Sequence, residues 1–208
     1  MTTQQAYNEW AKQYDTNNNK TRDLEAKALR NTLSTISFDS CLEIGCGTGK
    51  NTVWLMEQAA FITAVDLSEA MLAKAKEKIT AINVEFIQAD ITKPWHFTNK
   101  KYNLVSFSLV LEHIEHLEFV FSEAAKALHT GGYMYVGELH PFKQYAGSKA
   151  RFDTGNGVQI VQCYNHHVSH FIQAAKKCHL QVADINEYFD EDDKNALPRI
   201  LTILFKKG

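Results

Sequence analysis

Proline and cysteine are scarce in this chain, with 3 and 4 residues in 208, and neither sign of charge predominates. Cys41, Cys46, Cys163 and Cys178 form no Cys-x2-Cys pair and no longer cluster, so their spacing gives neither a zinc site nor an iron–sulfur centre. They read as reduced core or loop thiols. A net charge of −2 with interspersed signs supplies no basic stripe to track a phosphate backbone. The expected partner is a small molecule, not nucleic acid. No apolar run approaches the roughly 20 residues of a bilayer span. The opening Met1-Thr2-Thr3-Gln4-Gln5 lacks the charged start and apolar stretch of a secretion signal. These absences predict a cytoplasmic protein without a membrane partner, as a monomer or homodimer.

What is present is an ordinary globular composition, 45% hydrophobic and 11% aromatic, that fits one domain over residues 1–208. From Ser40 onward short apolar runs alternate with amphipathic stretches, the pattern of a doubly wound α/β sheet. Strands are expected near 40–45, 61–66, 83–88, 102–109, 132–139, 180–188 and 199–206, with helices between them. Ile114, Leu117, Val120, Phe121, Ala124, Ala125 and Leu128 recur at helical spacing, and Thr130-Gly131-Gly132 is expected to end that helix. Residues 1–36 read as helices broken at Asp15-Thr16-Asn17-Asn18-Asn19, expected to cap the sheet's ligand edge. Residues 140–167, with Gly147, Gly155 and Gly157, read as a loop-rich insertion before a helix near 168–178.

The most informative stretch is Cys41-Leu42-Glu43-Ile44-Gly45-Cys46-Gly47-Thr48-Gly49, an apolar strand leading into alternate glycines. Glycines here let a ligand press against main chain. A dinucleotide cradle needs Gly-x-Gly-x-x-Gly, and Lys50 stands at the third glycine's place. The stretch instead resembles the first motif of class I S-adenosylmethionine-dependent methyltransferases. Further segments follow in the family's order: Ala64-Val65-Asp66-Leu67-Ser68, Gln88-Ala89-Asp90-Ile91, and Ser108-Leu109-Val110-Leu111-Glu112-His113. Leu111-Glu112-His113 and Leu128-His129-Thr130-Gly131-Gly132 are most similar to the small enzymes around ubiquinone and menaquinone biosynthesis. Asn103 departs from the family's usual Asp.

The resemblance implies a Rossmann-like, seven-stranded, mostly parallel sheet whose last strand is antiparallel. It also implies site roles. Glu43, Gly45, Cys46, Gly47 and Gly49 would hold the amino-acid end of S-adenosylmethionine, and Asp66 with Leu67 the ribose. Asp90 and Ile91 would meet the adenine, while Ser108 and Leu109 would lie beneath the sulfonium. Tyr7, Trp10 and Tyr14 match the family's aromatic cap, which places Tyr14 near the cofactor, and Arg22 follows the polar break where it can clamp a carboxylate of S-adenosylmethionine or of an acidic substrate.

Methyl displacement needs mainly alignment and exclusion of water, with a base only for a protonated acceptor. His113 and His140 are the candidates, and for His113 a helix-start residue facing solvent is the competing reading. Glu138, His140, Phe142, Tyr145 and Arg151 are placed on the acceptor side. His166, His167 and His170 lack a further fixed ligand, so no metal is assigned to them. Two alternatives stay open at this point: a nicotinamide-dependent oxidoreductase using Asp66 as a ribose acceptor, and a protein that binds S-adenosylmethionine without transferring its methyl.

Overall fold

The computed structural model describes residues 1–153 and 157–208; Gly155 lies outside them. Two helices, α1 (Thr3–Trp10) and α2 (Lys20–Leu33), precede the sheet. Strands and helices then alternate: β1 (Ser40–Ile44), α3 (Thr52–Gln58), β2 (Phe61–Asp66), α4 (Glu69–Lys78), β3 (Val84–Gln88) and β4 (Tyr102–Ser108). Next come α5 (Leu117–Ala127), β5 (Leu128–Leu139), α6 (Pro141–Tyr145) and the short β6 (Arg151–Asp153) and β7 (Val158–Ile160). The chain finishes with α7 (Val168–Lys177), β8 (Leu180–Tyr188) and β9 (Ile200–Lys207).

The main sheet has seven strands in the order β3-β2-β1-β4-β5-β9-β8, with β9 antiparallel to both of its neighbours. Strand order reverses between β1 and β4. Crossovers leave in opposite directions there, and their turns part to form a crevice at the carboxyl ends of the strands. Alternation along each strand sends side chains to two apolar layers. Leu42, Ile44, Val105, Phe107, Met134 and Val136 pack with residues of α5 and α7 on one face. Cys41, Ile62, Ala64, Leu104 and Tyr135 pack with residues of α2, α3 and α4 on the other.

Two boundaries differ from the sequence expectation. The helix before β5 starts at Leu117, after a single 3-10 turn at Leu111–His113, because Ile114 is extended at φ −109° and ψ 117°. Thr130-Gly131-Gly132 lies within β5 and does not end the helix. Tyr102 pairs with Leu128 and Leu104 with Tyr133, so β5 carries an irregularity there, and Gly131 at φ +77° supplies its left-handed backbone.

The first 36 residues divide between two tasks. α2 buries Ala28, Leu29, Thr32 and Leu33, and packs against β5 and β9 as part of a helical layer. α1, the turns behind it and the first residues of α2 lie over the ligand edge. α1 begins with a capping box, Thr2 Oγ1 accepting from Gln5 N and Gln5 Oε1 from Thr2 N. Its Trp10 stacks on Phe152 of the β6–β7 hairpin, with ring centroids 5.5 Å from Tyr7 and 5.1 Å from Phe152. β6 thereby continues the cap.

Gly137 of β5 is a packing constraint: a Cβ there would meet the Tyr135 hydroxyl and lie 2.6 Å from Glu25 Oε1. Gly137→Ala is expected to lower stability by roughly 1–3 kcal/mol through overpacking, read as a lower urea midpoint at unchanged m-value. An unaltered midpoint would show that α2 can move away.

Candidate active site

The glycine turn is shaped by its amide donors. Gly45 N and Cys46 N both donate to Val65 O, at 2.8 and 3.0 Å, drawing the turn after β1 toward β2. The Asp66 carboxylate completes the link: Oδ2 accepts from Gly47 N and Oδ1 from Ser68 N, each at 2.8 Å. Burial raises the Asp66 pKa against the lowering effect of these amides.

The three glycines serve different ends. A Cβ on Gly45 would press into Val110 at 2.8 Å, and one on Gly49 into Ile79 Cδ1 at 2.7 Å, whereas at Gly47 it would meet nothing within 4 Å. All three have positive φ, so side chains are disfavoured there on backbone grounds too. Gly47 faces open space, and that space is a cavity of about 250 Å³.

The cavity brings together Tyr14, Gly45, Gly47, Asp66, Leu67, Asp90, Ile91, Ser108, Leu109 and His113 from the sequence-derived set. Leu109 holds φ +55°, an uncommon conformation for a branched residue, and its N donates to Gly137 O at 2.8 Å. Cys46 and Gly49 do not line the cavity, though they build the turn; Cys46 is buried in the core beside α3. Glu43 is absent from the lining as well. Pleating turns Ile44 into the cavity and Glu43 to the opposite face, where Thr52 Oγ1 donates to its Oε2 at 2.5 Å.

α1 closes this space. Asn8 Oδ1 accepts from Ser68 Oγ at 2.6 Å, and Gln4 Nε2 donates to Leu67 O at 3.1 Å. The following turn is tied down by Thr48 Oγ1 donating to Asp15 Oδ1 at 2.6 Å and by Lys78 on Asp15 Oδ2 at 2.7 Å.

A second cavity of about 600 Å³ shares Tyr7, Tyr14 and Leu109 with the first. Arg22 and Arg151 line it, with Glu112 at its inner side. Arg22 lines this cavity and not the first, so of the two carboxylates open to it, on the cofactor or on an acidic substrate, its position is on the side away from the glycine turn. Its guanidinium lies 4.7 Å above the Tyr14 ring and donates to the carbonyls of Tyr14 and Asn17.

Of the two histidines proposed as bases, His113 lines the first cavity. His113 Nδ1 is 2.7 Å from Gln162 O, which can only accept, so Nδ1 carries the proton. In the neutral ring Nε2 is then an acceptor, and the Tyr7 hydroxyl donates to it at 2.8 Å. Burial keeps the Tyr7 phenol well above its ordinary pKa.

His140 lines neither cavity. Its Nδ1 accepts from Phe142 N at 3.1 Å as the N-cap of α6, and its Nε2 bonds Glu187 Oε1 at 2.9 Å. Both nitrogens are committed, and burial lowers its pKa toward the neutral form.

Glu138 also lies outside both cavities. Its Oε1 accepts from Val110 N at 3.0 Å and Leu111 N at 2.8 Å, pinning the turn that carries His113. Phe142 and Tyr145 are exposed on the outside, where the Tyr145 hydroxyl meets His167 Nδ1 at 2.5 Å. Tyr7, Gln4, Met71 and Thr92 line the first cavity without having been assigned to it by sequence. For Tyr7 the signal was the aromatic spacing with Trp10 and Tyr14; for the others no local pattern exists.

Residues 42–136 match the family model described as a methyltransferase domain. Over these residues the chain is similar to the class I S-adenosylmethionine-dependent methyltransferases. It is 30% identical over 165 residues to malonyl-[acyl-carrier protein] O-methyltransferase of Priestia megaterium, covering 77% of this chain and 54% of the relative. The match thus spans about half of that relative's length. By structure it is similar to the DhpI complex with S-adenosylhomocysteine, at TM-score 0.77 and 21% identity, covering 99% of this chain and 96% of that one. It is also similar to the N-methyltransferase NodS of Bradyrhizobium japonicum, at TM-score 0.74 and 17% identity, covering 100% and 99%. Those two likenesses establish the fold. The family match displaces the nicotinamide alternative.

Behind the glycine turn lies a buried acidic pair. Glu25 accepts from Tyr135 Oη at 3.1 Å and Asn51 Nδ2 at 2.9 Å. Burial pushes Glu25 up to about 7, and burial together with the Glu25 charge pushes Glu43 up to about 8. An unfolded glutamate releases its proton at about 4.3. Between that pH and the raised values the folded chain holds more protons, so stability falls as pH rises through the window. Melting temperature is expected to increase on going from pH 8.5 to pH 6, by the equivalent of roughly 1–3 kcal/mol. Glu25→Gln, whose amide can donate to Asn51 Oδ1, an atom without a hydrogen-bond partner among the described residues, should make that rise shallower. A pH-independent melting temperature in the parent chain would contradict these assignments.

Proposed function

We propose that this chain transfers a methyl group from S-adenosylmethionine to a small-molecule acceptor in the cytoplasm. The observation that carries this reading is the cavity joining Gly47, Asp66 and Asp90 at the sheet's switch point, under an aromatic cap. Gly47 leaves main chain open where the amino-acid end of the cofactor would lie. The Asp66 carboxylate would accept hydrogen bonds from the ribose hydroxyls. Asp90 would meet the adenine amino group, with Ile91 against the ring.

The bound cofactor supplies an electrophilic methyl on a positively charged sulfur. The chain's share is alignment, exclusion of water by α1, and removal of the acceptor's proton where there is one. For a hydroxyl or amine acceptor the Tyr7–His113 pair is oriented to take it. The acceptor's proton passes to the Tyr7 oxygen as the Tyr7 proton moves to His113 Nε2, which the Gln162 carbonyl keeps free to receive it. Burial pushes the Cys163 thiol beside His113 up to about 12, so it stays protonated there.

Calorimetry with S-adenosylhomocysteine tests the cofactor site. Asp66→Ala should weaken binding by about 2–4 kcal/mol, the loss of two charge-assisted hydrogen bonds. Unchanged affinity in a folded variant would remove Asp66 from the site. For the proton path, Tyr7→Phe and His113→Asn should each lower kcat by about a hundredfold on a hydroxyl or amine acceptor, with cofactor affinity held within a few-fold. Full activity in both variants would leave the acceptor without need of a base.

A further inference from the structure

We infer that the second cavity takes an acceptor with two unlike ends, an anionic carboxylate or phosphate at the outer rim and a hydroxyl or amine at the inner floor. The inference rests on the methyltransferase reading of the adjoining cavity and adds the acceptor's charge pattern to it.

Position comes first. At about 600 Å³ the second cavity is of small-molecule size, and the residues it shares with the first make its occupant the neighbour of the cofactor. Charge comes next. Lys20 and Arg22 reach it from the start of α2, and Lys149 and Arg151 from the segment after α6, so an anion between them would bridge the two walls. Among the described residues, neither Arg22 nor Lys149 nor Arg151 is ion-paired with a carboxylate. Arg199, also on the wall, is by contrast neutralised by Asp190, with both contacts at 2.5 Å.

Arg22 is held in a fixed pose by Tyr14 and two carbonyls, and its Nε is buried without a partner among the described residues. A guanidinium fixed in this way loses little freedom on meeting an anion. The positive end of the 14-residue α2 lines the same rim and adds to the field.

The inner floor has the opposite need. Glu112 is only 6% exposed and lines the cavity, and its Oε2 has no hydrogen-bond partner among the described residues. A donor on the ligand satisfies that oxygen, beside the Tyr7–His113 pair. An acceptor lacking either end would leave a buried polar group unmet, which is the strongest form of discrimination a pocket offers.

The test titrates small probes into the full chain saturated with S-adenosylhomocysteine. The probes are 4-hydroxybutyrate, 2-hydroxyethyl phosphate, the neutral 4-hydroxybutyramide, and butyrate, which lacks the donor. At least one of the two hydroxylated anions should bind saturably, and which one binds separates carboxylate from phosphate. The amide and butyrate should bind at least tenfold more weakly than the better anion. Lys149→Glu/Arg151→Glu, both at exposed positions, should weaken the anion at least tenfold while S-adenosylhomocysteine affinity stays within twofold.

The proposal is overturned if neither anion binds, if the amide or butyrate binds as well, or if the double variant is unaffected. Failure of S-adenosylhomocysteine itself to bind the parent chain would defeat the cofactor reading first, through a separate readout.

Discussion

One carboxylate organises the ligand edge of this protein. Asp66, at the end of β2, accepts from Gly47 N in the neighbouring turn and from Ser68 N in its own. Those bonds fix the separation of two loops that would otherwise be independent, and they hold a buried charge where desolvation opposes it. The cost is offset only because amides on both sides point at the oxygens. Any ligand that replaces those contacts must offer donors of its own.

The cap follows from the same turn. Ser68 and Leu67 anchor Asn8 and Gln4, so α1 is referred to the same loop that carries the carboxylate. Tyr7 then stands between the two cavities, bonded to His113 on one side and stacked on Trp10 on the other. The Leu109 backbone, with its uncommon φ of +55°, forms the rest of the partition. Glu138 braces that partition from behind through the amides of Val110 and Leu111. Thus a residue read from sequence as a substrate contact acts one layer further back.

The parts of the site written in local backbone were legible in the sequence, and the parts built from distant chain were not. Gly45, Gly47, Asp66 and Asp90 each end a strand or open a turn, so their spacing carries their placement. The strand alternation that set the sheet also decided Glu43 against Ile44, and that choice needed the exact pleat. His140 follows β5 as expected, but Pro141 starts a short helix there and turns the imidazole into its N-cap. The second cavity draws on α2, the turn after β4, the segment after α6 and Arg199, which bonds Thr21 across the chain. No window of sequence spans that set. The irregularity in β5 is not legible for a related reason, since a glycine pair after a helix looks locally like a stop.

The most direct test of this account is a crystal structure of the chain with S-adenosylhomocysteine bound. The account predicts the ribose hydroxyls on the Asp66 carboxylate, the adenine between Asp90 and Ile91, and the sulfur at Leu109 facing the second cavity. A nucleoside bound elsewhere, or an empty crevice at Gly47 at saturating ligand, would contradict it.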